Sequence, residues 1–567
     1  MIQKLIECVP NFSEGRNMEV IKQITDEVEK VKGVKLLDVD PGAATNRTVV
    51  TFVGEPEQVI EAAFQTIKKA SQLIDMRGHH GEHPRMGATD VCPLIPISGI
   101  TMEECVEYAH KLAKRVGEEL SIPVFCYESA AKIEERRNLA VCRTGEYEGL
   151  SKRLGEDRWT PDFGPAEFND FVARTGATAI GARDFLVAVN FNLNTTSTRR
   201  ANAIAFDVRE KGRKKREGGT VTGKVVKDEN GKIVWIPGSL KACKAIGWFI
   251  EEYGIAQISM NVTDISVTPV HVAFDEVCNK AQARGLRITG SEIVGLIPKK
   301  VLIDAGKYFL EKQQRSVGIP DEEIIKIAVK SMGLDDLKPF NPREKVIEYL
   351  LEDANASKKL IDLTCTGFAE ETSSESPAPG GGSISAYMGA LGAALGTMVA
   401  NLSAHKPGWD ARWGEFSVWA EKGQELMKEL LYLVDEDTNA FNVIMEALGM
   451  PKGTDAAKAA RAAAIQDATL YATNVPLRTM KVAIKVFDIV EAMTKIGNPN
   501  SVTDAAVGAI CVRSAVMGAF LNVRINASSL EDVAKAKAIV AEAKAICDAA
   551  IDREKAILSL ADEKIAL

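Results

Sequence analysis

The sequence has no surplus of positive charge. Its 567 residues include 70 Lys and Arg against 78 Asp and Glu, which gives a net charge of -8 and an isoelectric point near 5.6. A protein that neutralises a phosphate backbone or an anionic membrane surface needs a basic excess. We therefore expect no nucleic-acid partner.

The sequence also lacks closely spaced clusters that combine cysteine with histidine. The ten cysteines contain no CxxC pair, so neither a zinc ribbon nor a disulfide scaffold is indicated. The N-terminus reaches Glu7 and Pro10 before an apolar run long enough for a secretory signal could form. These features favour a cytoplasmic protein with reduced thiols.

Only one long stretch lacks charge. Residues 376–404 have no charged side chain and place Gly389, Gly392 and Gly396 at close helical spacing. The stretch is mostly Gly, Ala and Ser, contains two prolines and an asparagine, and has no flanking belts of Lys and Arg. We predict a buried, tightly packed helix here and no membrane span.

The composition, with 46% hydrophobic and 26% charged residues, is typical of globular proteins, and the length indicates three or four folding units. Apolar runs alternate with helical patterns in the first third of the chain. Strands are predicted over 2–9, 34–40, 47–53, 88–96 and 123–128, and helices over 18–31, 56–73 and 102–119. This order is that of a ferredoxin-like split βαβ arrangement. Because no GxGxxG follows a strand, a dinucleotide site has no support.

A second α/β region follows, and the chain then becomes helical. Strands are predicted over 178–193, 255–262 and 286–289, helices over 197–211, 240–252, 269–284 and 299–311, and a protruding hairpin over 209–236. Pro339 and Pro342 bracket a short linker, beyond which strand signals vanish and Ala-rich helical patterns dominate.

The sequence therefore predicts a multidomain fold, with two α/β subdomains of ferredoxin-like, α+β sandwich type followed by an all-α helical bundle. The predicted limits are 1–178 and 179–330 for the two subdomains, 331–342 for the linker and 343–567 for the helical domain.

Three of the six histidines lie within five positions, in the segment HHGEH that starts at His79. A metal site would use His79, Glu82 and His83, but neighbouring Gly and Pro residues prevent the regular helix on which an i, i+4 ligand pair is normally built. A general base needs only one imidazole held over a substrate, with a carboxylate to orient it. A third interpretation is that these are loop histidines bonded to the backbone.

Charged residues that suit such a site lie nearby in the sequence. Asp38 and Asp40 end a predicted strand and share one face, so a carboxylate there could orient a histidine or simply cap the turn. Arg47 and Arg85 carry planar forks that suit substrate carboxylates.

The helical region contains two further candidates. Gly380, Gly381 and Gly382 precede Ser383 and a helix, so backbone N–H groups could bind an anion, or the glycines could merely allow a tight turn. Asp437 lies on the apolar stripe of a predicted helix, where burial should raise its pKa unless a cation pairs with it. Such a carboxyl suits general acid–base chemistry.

These motifs together resemble a known enzyme family. The first half is similar to glutamate formimidoyltransferases. The motifs that carry this similarity are CVPNFSEG at Cys8–Gly15, LLDVD at Leu36–Asp40, TNRT at Thr45–Thr48, HHGEHPRMG at His79–Gly87, DVCP at Asp90–Pro93 and DFGP at Asp162–Pro165. The second half is similar to formimidoyltetrahydrofolate cyclodeaminases. The motifs that carry this similarity are APGGGS at Ala378–Ser383, VDED at Val434–Asp437, VPL at Val475–Leu477 and NVRIN at Asn522–Asn526. The whole chain thus resembles the bifunctional enzymes of histidine degradation that combine both activities.

The resemblance implies specific roles and partners. His83 would be the catalytic histidine and Asp40 its supporting carboxylate, while Asp437 would be the catalytic aspartate of cyclodeamination. A folate-contacting segment would begin at Gly164 and Pro165 and end near Gly176, and the glycine-rich loop would suit a folate carboxylate. Tetrahydrofolate, extended by a polyglutamate tail, would be the co-substrate beside N-formimidoylglutamate, without a metal, in a homo-oligomer.

Two other functions remain open from the sequence. One is a metal-dependent hydrolase that uses the HHGEH loop. The other is a folate-binding protein whose second domain is inactive.

Overall fold

The chain forms two compact units in a computed structural model that describes residues 4–42, 46–81, 84–220, 222–251, 253–354 and 359–565. The first unit contains Met1–Val301 and Met332–Ala354, and the second contains Leu302–Ser331 and Asn355–Leu567. An N-terminal α/β region is thus followed by a mainly helical region, as expected. The domain limits and the ferredoxin-like type remain predictions.

The first unit begins with a seven-stranded sheet. Its strands are β1 (Leu5–Cys8), β2 (Asn11–Phe12), β3 (Val34–Gly42), β4 (Arg47–Gly54), β5 (Thr89–Ser98), β6 (Val124–Glu128) and β7 (Thr178–Ala182). Both β1 and β2 pair with β4 and with β5, so they act as one interrupted strand, and the order across the sheet is β3, β4, β1 with β2, β5, β7, β6. Pairing is antiparallel except at β7, which is parallel to β5 and β6.

Three long helices cover this sheet. They are α1 (Met18–Glu29), α2 (Pro56–Leu73) and α3 (Met102–Leu120), and the short helices α4 (Leu139–Cys142), α5 (Leu150–Arg153) and α6 (Asp170–Thr175) follow. The start of α3 is set by a capping box, in which Thr101 accepts from the Glu104 N–H and the Glu104 side chain accepts from the Thr101 N–H. Val28, Phe64 and Leu112 are buried in the core that these helices share with the sheet.

A second, antiparallel sheet completes the first unit. Its strands are β8 (Val187–Leu193), β11 (Cys243–Ile250), β12 (Ile255–Val262) and β13 (Ile288–Val294), in the order β11, β12, β8, β13. The other elements are the hairpin β9 (Arg213–Lys214) and β10 (Trp235–Ile236) and the helices α7 (Thr198–Val208), α8 (Val270–Gln282), α11 (Pro342–Lys345) and α12 (Ile347–Ala354). The single strand predicted over 178–193 is thus divided between the two sheets.

The helix predicted over 240–252 is wrong, because this segment forms β11. Cys243, Ala245 and Gly247 face inward and alternate with exposed residues, which is the period of a strand. The exposed positions include Ile246 and Trp248, so both faces are apolar and the alternation is hidden in the sequence.

The second unit consists of helices. They are α10 (Asp321–Met332), α13 (Cys365–Thr372), α14 (Gly381–Ala404), α15 (Trp413–Gly449), α16 (Asp455–Ile496), α17 (Val502–Ala527) and α18 (Val533–Ile565), with most of α9 (Lys299–Lys312). Small residues let α14 approach its neighbours closely. A Cβ on Gly392 would lie 2.9 Å from the carbonyl oxygen of Gly508 on α17.

Among the residues that the structure describes, two helical segments have the length and apolar composition of a membrane-crossing helix, Gly381–Ala404 and Pro499–Ala527. In the first, 61% of the apolar window is buried inside the protein, which agrees with its central place in the helical core. Core helices of this kind satisfy the same length and composition criteria.

The buried Glu7 of β1 should make the first unit less stable as the pH rises. Burial raises the pKa of Glu7 to about 7 from an ordinary 4.5. The folded chain therefore holds a proton that the unfolded chain releases between pH 4.5 and 7, and about 3 kcal/mol of stability is lost over that interval. Glu7→Gln removes the titrating group and should abolish this loss.

Amide hydrogen exchange of β1, β4 and β5 measures this effect in the first unit alone. At pH 8 the Glu7→Gln variant should exchange more slowly than the unmodified chain, and at pH 4.5 the two should match. Glu29→Gln, which changes an exposed carboxylate on α1, is the control and should show no such gap. Equal exchange of both chains at pH 8 would contradict the prediction.

Candidate active sites

The first unit contains a cavity of about 1010 Å³. Its walls come from the histidine loop before β5, the end of β6, the segment around α4 and the link between β7 and β8. The second sheet contributes Lys244 of β11, and Thr263 and Asp264 follow directly after β12. Because both sheets contribute, the cavity depends on the division of the predicted strand into β7 and β8. Its volume is at the upper end of the range of small-molecule sites.

The cavity lining is highly charged but balanced. It carries five basic and five acidic side chains, namely Arg85, Arg137, Arg143, Arg183 and Lys244 against Glu128, Glu146, Glu148, Asp184 and Asp264. Within the described part of the chain, Arg183 and Lys244 form no ion pair with a carboxylate; Nη1 of Arg183 donates to the backbone carbonyl of Asp184. These two groups are therefore available to a ligand carboxylate.

Arg85 uses all five of its N–H groups inside the protein. Nε donates to Nδ1 of His79 at 3.3 Å and Nη2 donates to the carbonyl oxygen of His79 at 3.1 Å. The remaining donors bind Glu146 at 3.1 Å and Glu148 at 2.6 and 2.8 Å. The hydrogen bonds to Glu148 raise the pKa of Arg85. Arg85 thus holds the histidine loop in place, and its predicted contact with substrate stays a prediction.

His79 is a structural residue of this loop. Its Nε2 lies 2.9 Å from the carbonyl oxygen of Asn46, and its Nδ1 accepts from Arg85, which fixes the neutral tautomer with the proton on Nε2. Burial lowers the pKa of His79 and agrees with a neutral ring. Since both ring nitrogens are engaged, His79 fits the interpretation of a loop histidine bonded to the backbone, and the alternative metal site loses its first ligand.

The predicted catalytic residue His83 lies outside the described residues, as does Glu82. Their chain neighbours Gly81 and Pro84 both line the large cavity, and so does the exposed His80. Among the residues that the structure describes, no three His, Cys, Asp or Glu side chains are grouped so that they could hold a metal ion.

Asp40 and Arg47 lie on neighbouring strands, at the edge of the first sheet. Asp40 is exposed on β3 and pairs with Val49 of β4. Burial lowers the pKa of Arg47, which the charges of Asp90 and Asp40 partly restore. The two predicted residues are thus close enough to interact electrostatically, but neither belongs to the described lining of the cavity.

Asp90 places a guanidinium in the cavity wall. Its carboxylate is completely buried and accepts from Nε of Arg143 at 3.2 Å, from Nη2 of Arg143, and from the N–H of Met86 at 3.0 Å. Burial raises the pKa of Asp90, while the Arg143 charge lowers it. This bidentate pair fixes Arg143, which lines the cavity.

The glycines expected at a ligand site instead allow close backbone packing. Gly164 has φ +82° and a Cβ there would lie 2.3 Å from the carbonyl oxygen of Ile122; Gly176 has φ +68° and a Cβ there would lie 2.3 Å from that of Met86. Neither glycine, nor Pro165, is among the described residues of the cavity wall. Their predicted ligand contact therefore stays a prediction.

The second unit has a smaller cavity of about 160 Å³ at the N-terminus of α14. The first turn of α14, with Gly380, Gly381 and Gly382, forms one wall, and α15 contributes Asp437. Of the described residues that line it, Asp437 alone is charged. The structure therefore brings the predicted glycines and the predicted aspartate together, although they are more than fifty residues apart in the chain.

Ser383 and Gly382 hold the carboxylate of Asp437. The backbone N–H of Ser383 donates to Oδ2 of Asp437 at 2.9 Å, and the Ser383 hydroxyl lies 3.1 Å from the same oxygen and 2.9 Å from the carbonyl oxygen of Val434. Burial raises the pKa of Asp437, and the hydrogen bonds from Ser383 lower it. A Cβ on Gly382 would lie only 2.1 Å from Oδ1 of Asp437. The anion at this helix N-terminus is thus a side chain of the protein itself.

This contact changes the expectation for Ser383. Its side chain is fully buried and does not line the cavity, so here it positions Asp437. The sequence reasoning missed Thr438, Asn522 and Asn526 as members of the site, although all three line the cavity. The i, i+4 spacing of the two asparagines, which puts them on one face of α17, was the available signal.

Three sequence families match successive parts of the chain. Residues 5–183 match the family described as formiminotransferase domain, N-terminal subdomain, and residues 188–352 match the formiminotransferase domain. Residues 364–545 match the family described as formiminotransferase-cyclodeaminase. Together these matches cover most of both units.

Individual relatives show the same division. The formimidoyltransferase-cyclodeaminase of Gallus gallus is 42% identical over 529 residues, which cover 93% of this chain and 93% of the relative. The glutamate formimidoyltransferase of Streptococcus pyogenes serotype M1 is 42% identical and covers 54% of this chain and 94% of its own. The methenyltetrahydrofolate cyclohydrolase of Methylorubrum extorquens is 39% identical and covers 31% of this chain and 84% of its own.

Replacing Gly382 by Ala should destabilise the second unit. The added Cβ would push Asp437 away from Ser383, so we expect a loss of about 2 kcal/mol from the hydrogen bonds to a buried carboxylate. Thermal unfolding followed by circular dichroism measures the shift in Tm.

The matched control is Gly414→Ala. A Cβ at Gly414, in the first turn of α15, meets no atom within 4 Å, so this variant should keep the Tm or raise it slightly. If Gly382→Ala has the same Tm as Gly414→Ala, the prediction that a Cβ at position 382 displaces Asp437 is wrong.

Proposed function

We propose that this chain, which belongs to the formiminotransferase-cyclodeaminase family, performs its two reactions at the two cavities described above. It is a bifunctional enzyme. It transfers the formimino group of N-formimidoyl-L-glutamate to N5 of tetrahydrofolate. It then cyclises 5-formimidoyltetrahydrofolate to 5,10-methenyltetrahydrofolate and releases ammonia.

The large cavity of the first unit is the proposed transferase site. N5 of tetrahydrofolate attacks the formimino carbon, and the bond between that carbon and the glutamate nitrogen breaks. The proton of N5 must reach the departing nitrogen, which a single imidazole can accomplish by accepting and returning it. We assign this role to His83 and its support to Asp40. The family resemblance supports the assignment, and so do Gly81 and Pro84, which line the cavity on either side of the Glu82–His83 pair in the chain.

Both substrates of this step are anionic, since each carries glutamate carboxylates. Arg183 and Lys244 are therefore the groups that we expect to bind them, and Arg47 is a third candidate by its predicted role. A polyglutamate tail on tetrahydrofolate would add further carboxylates for such contacts. We propose that Gly164, Pro165 and Gly176 belong to the folate-contacting segment, as the resemblance implies.

The small cavity of the second unit is the proposed cyclodeaminase site. N10 attacks the carbon of the protonated amidine, a C–N bond forms, and the amidine nitrogen leaves as ammonia while N5 supplies electrons to the positively charged methenyl bridge. Asp437 takes the proton of N10 and gives it to the departing nitrogen, so charge and protons balance. A volume of about 160 Å³ holds the reacting amidine end, and the rest of the folate extends outward.

One observation carries this assignment. Asp437 is the charged residue of a cavity at a helix N-terminus, with Oδ2 fixed by Ser383 and with its pKa raised by burial. A carboxyl held in this way beside the reacting atoms can accept a proton from one nitrogen and release it to another. This is the requirement of the cyclisation step.

We further propose a cytoplasmic homo-oligomer without a metal. The ten cysteines are all free thiols and seven are buried, which supports a reducing compartment. Leu521 and Ile525 on α17 are 61% and 66% exposed, which supports contact between copies of the chain. Size-exclusion chromatography with light scattering measures the number of copies.

Substitution of the two proposed acid–base residues should separate the activities. We expect His83→Ala to lower formimino transfer at least about a hundredfold and to leave cyclisation unchanged, and Asp437→Ala to do the reverse, because a positioned acid–base group contributes about 10²–10⁴ in rate. Glutamate release measures the first reaction, and absorbance of the methenyl product measures the second when 5-formimidoyltetrahydrofolate is supplied.

The control is Asp435→Asn, two positions before Asp437 on α15. Oδ1 of Asp435 accepts from the N–H of Leu360, and an asparagine can keep that bond, so both activities should remain. Loss of both activities in both folded variants would refute the two-site account. Formation of methenyl product by the unmodified chain excludes an inactive second domain, and activity that survives exhaustive chelation excludes the metal-dependent hydrolase.

A further inference from the structure

Two asparagines on α17 present amide groups to the Asp437 cavity. Asn522 and Asn526 are four positions apart and both line the cavity. Nδ2 of Asn522 donates to the carbonyl oxygen of Gly518 at 3.0 Å, and Nδ2 of Asn526 donates to that of Ala472 at 2.7 Å. Within the described part of the chain neither Oδ1 accepts a hydrogen bond. Each Oδ1 is thus an acceptor that remains for a ligand.

The orientation of Asn526 depends on a proline in the neighbouring helix. In α16 the carbonyl oxygen of Ala472 would normally accept from the N–H of residue 476, but that residue is Pro476, which has no N–H. The amide of Asn526 supplies the missing donor. Because an amide that donates through Nδ2 must turn Oδ1 away, Pro476 fixes which end of Asn526 can face a ligand.

Thr438 adds a fourth polar group. Thr438 lines the cavity beside Asp437, and its buried hydroxyl oxygen has no hydrogen-bond partner in the described structure. A buried polar group without a partner is costly and marks a place where a ligand can supply one. The cavity therefore offers one carboxylate, two amide oxygens and one hydroxyl, and among its described lining residues no basic group.

We propose that Asn522 and Asn526 bind the N–H groups of the amidine through their Oδ1 atoms, and that Pro476 positions Asn526 to do so. This inference rests on the proposed cyclodeaminase site. A protonated amidine carries N–H donors and a positive charge, and the same nitrogen leaves as ammonia. Acceptors that surround it stabilise the charge on that nitrogen from the substrate to the leaving group.

The same arrangement selects between two folates that differ in one group. In 5-formyltetrahydrofolate a carbonyl oxygen takes the place of the amidine nitrogen, so it has no N–H to donate. Asp437 and the two amide oxygens would then face an acceptor where the amidine offers N–H groups, and a site built to hydrogen-bond an N–H strongly rejects the analogue that lacks it. The asparagines are thus specificity-determining residues for the formimidoyl group.

A double substitution separates binding of substrate from support of the helix. Asn526→Ala removes both the amide oxygen and the donor to Ala472. Adding Pro476→Ala returns a backbone N–H to Ala472, so that the helix no longer needs Asn526. We expect Asn526→Ala to lower the Tm and to reduce kcat/KM of cyclisation at least about tenfold, the effect of one hydrogen bond to a charged group.

The double variant gives different results if Asn526 binds substrate and if it only supports α16. With Asn526→Ala and Pro476→Ala together, the Tm should return toward that of the unmodified chain while kcat/KM stays at least about tenfold reduced. Inhibition of cyclisation by 5-formyltetrahydrofolate, relative to KM for the formimidoyl substrate, should become at least about tenfold stronger. Recovery of kcat/KM along with the Tm would overturn the proposal, because Asn526 would then serve α16 alone.

Asn401→Ala is the matched control. Nδ2 of Asn401, on α14, donates to the carbonyl oxygen of Gly318 at 2.8 Å, so this variant loses the same kind of bond near the other end of α14. It should lower the Tm and keep both kcat/KM and the inhibition ratio. Asp437→Asn distinguishes failure of the proposed site from failure of the proposed role of Asn526. If Asp437→Asn remains fully active in cyclisation, the proposed site is refuted. If Asp437→Asn is inactive but the double variant is fully active, only the role of Asn526 is refuted.

Discussion

Close backbone contact along α14 is the constraint on which the helical unit depends. At Gly382 the space that a side chain would need is taken by the carboxylate of Asp437, at Gly392 by a side chain and a backbone carbonyl of α17, and at Gly396 by Ile489 of α16. The same few residues therefore set the distance from α14 to each of its neighbours. Since the cavity lies at the N-terminal end of this helix, the position of Asp437 follows from the packing of the whole core.

The first unit positions its cavity by a different means, through buried charges. Asp90 and Arg143 form a bidentate pair, Asp162 pairs with Arg136 at 3.0 Å, and the buried Arg85 joins the histidine loop to the exposed Glu148. Removing one member of such a pair leaves an uncompensated buried charge and is strongly destabilising. The charges that support this cavity are thus as fixed as the glycines that support the other one.

Local patterns in the sequence predicted most elements of the first sheet and the long C-terminal helices. They failed where tertiary context decides: the run 178–193 is continuous in the sequence but serves two sheets, and β11 is apolar on both faces. Motifs predicted the candidate residues of both sites, but not the contacts that those residues make. Ser383 donates to Asp437, which lies fifty-four residues further along the chain. No local spacing indicates that all five N–H groups of Arg85 bind partners within the protein.

The proline at position 476 has a consequence for engineering the chain. A proline inside a 42-residue helix is an obvious target for a designer who wants a more heat-resistant protein, since helix formers normally improve such positions. Here the proline leaves a carbonyl oxygen of α16 free to accept a hydrogen bond from Asn526 of α17, at the wall of the proposed cyclodeaminase site. Replacing Pro476 by a helix former would stabilise α16 but would remove the contact that orients Asn526, and selectivity for the substrate would fall. Thermostabilising libraries should therefore leave Pro476 and Asn526 unchanged.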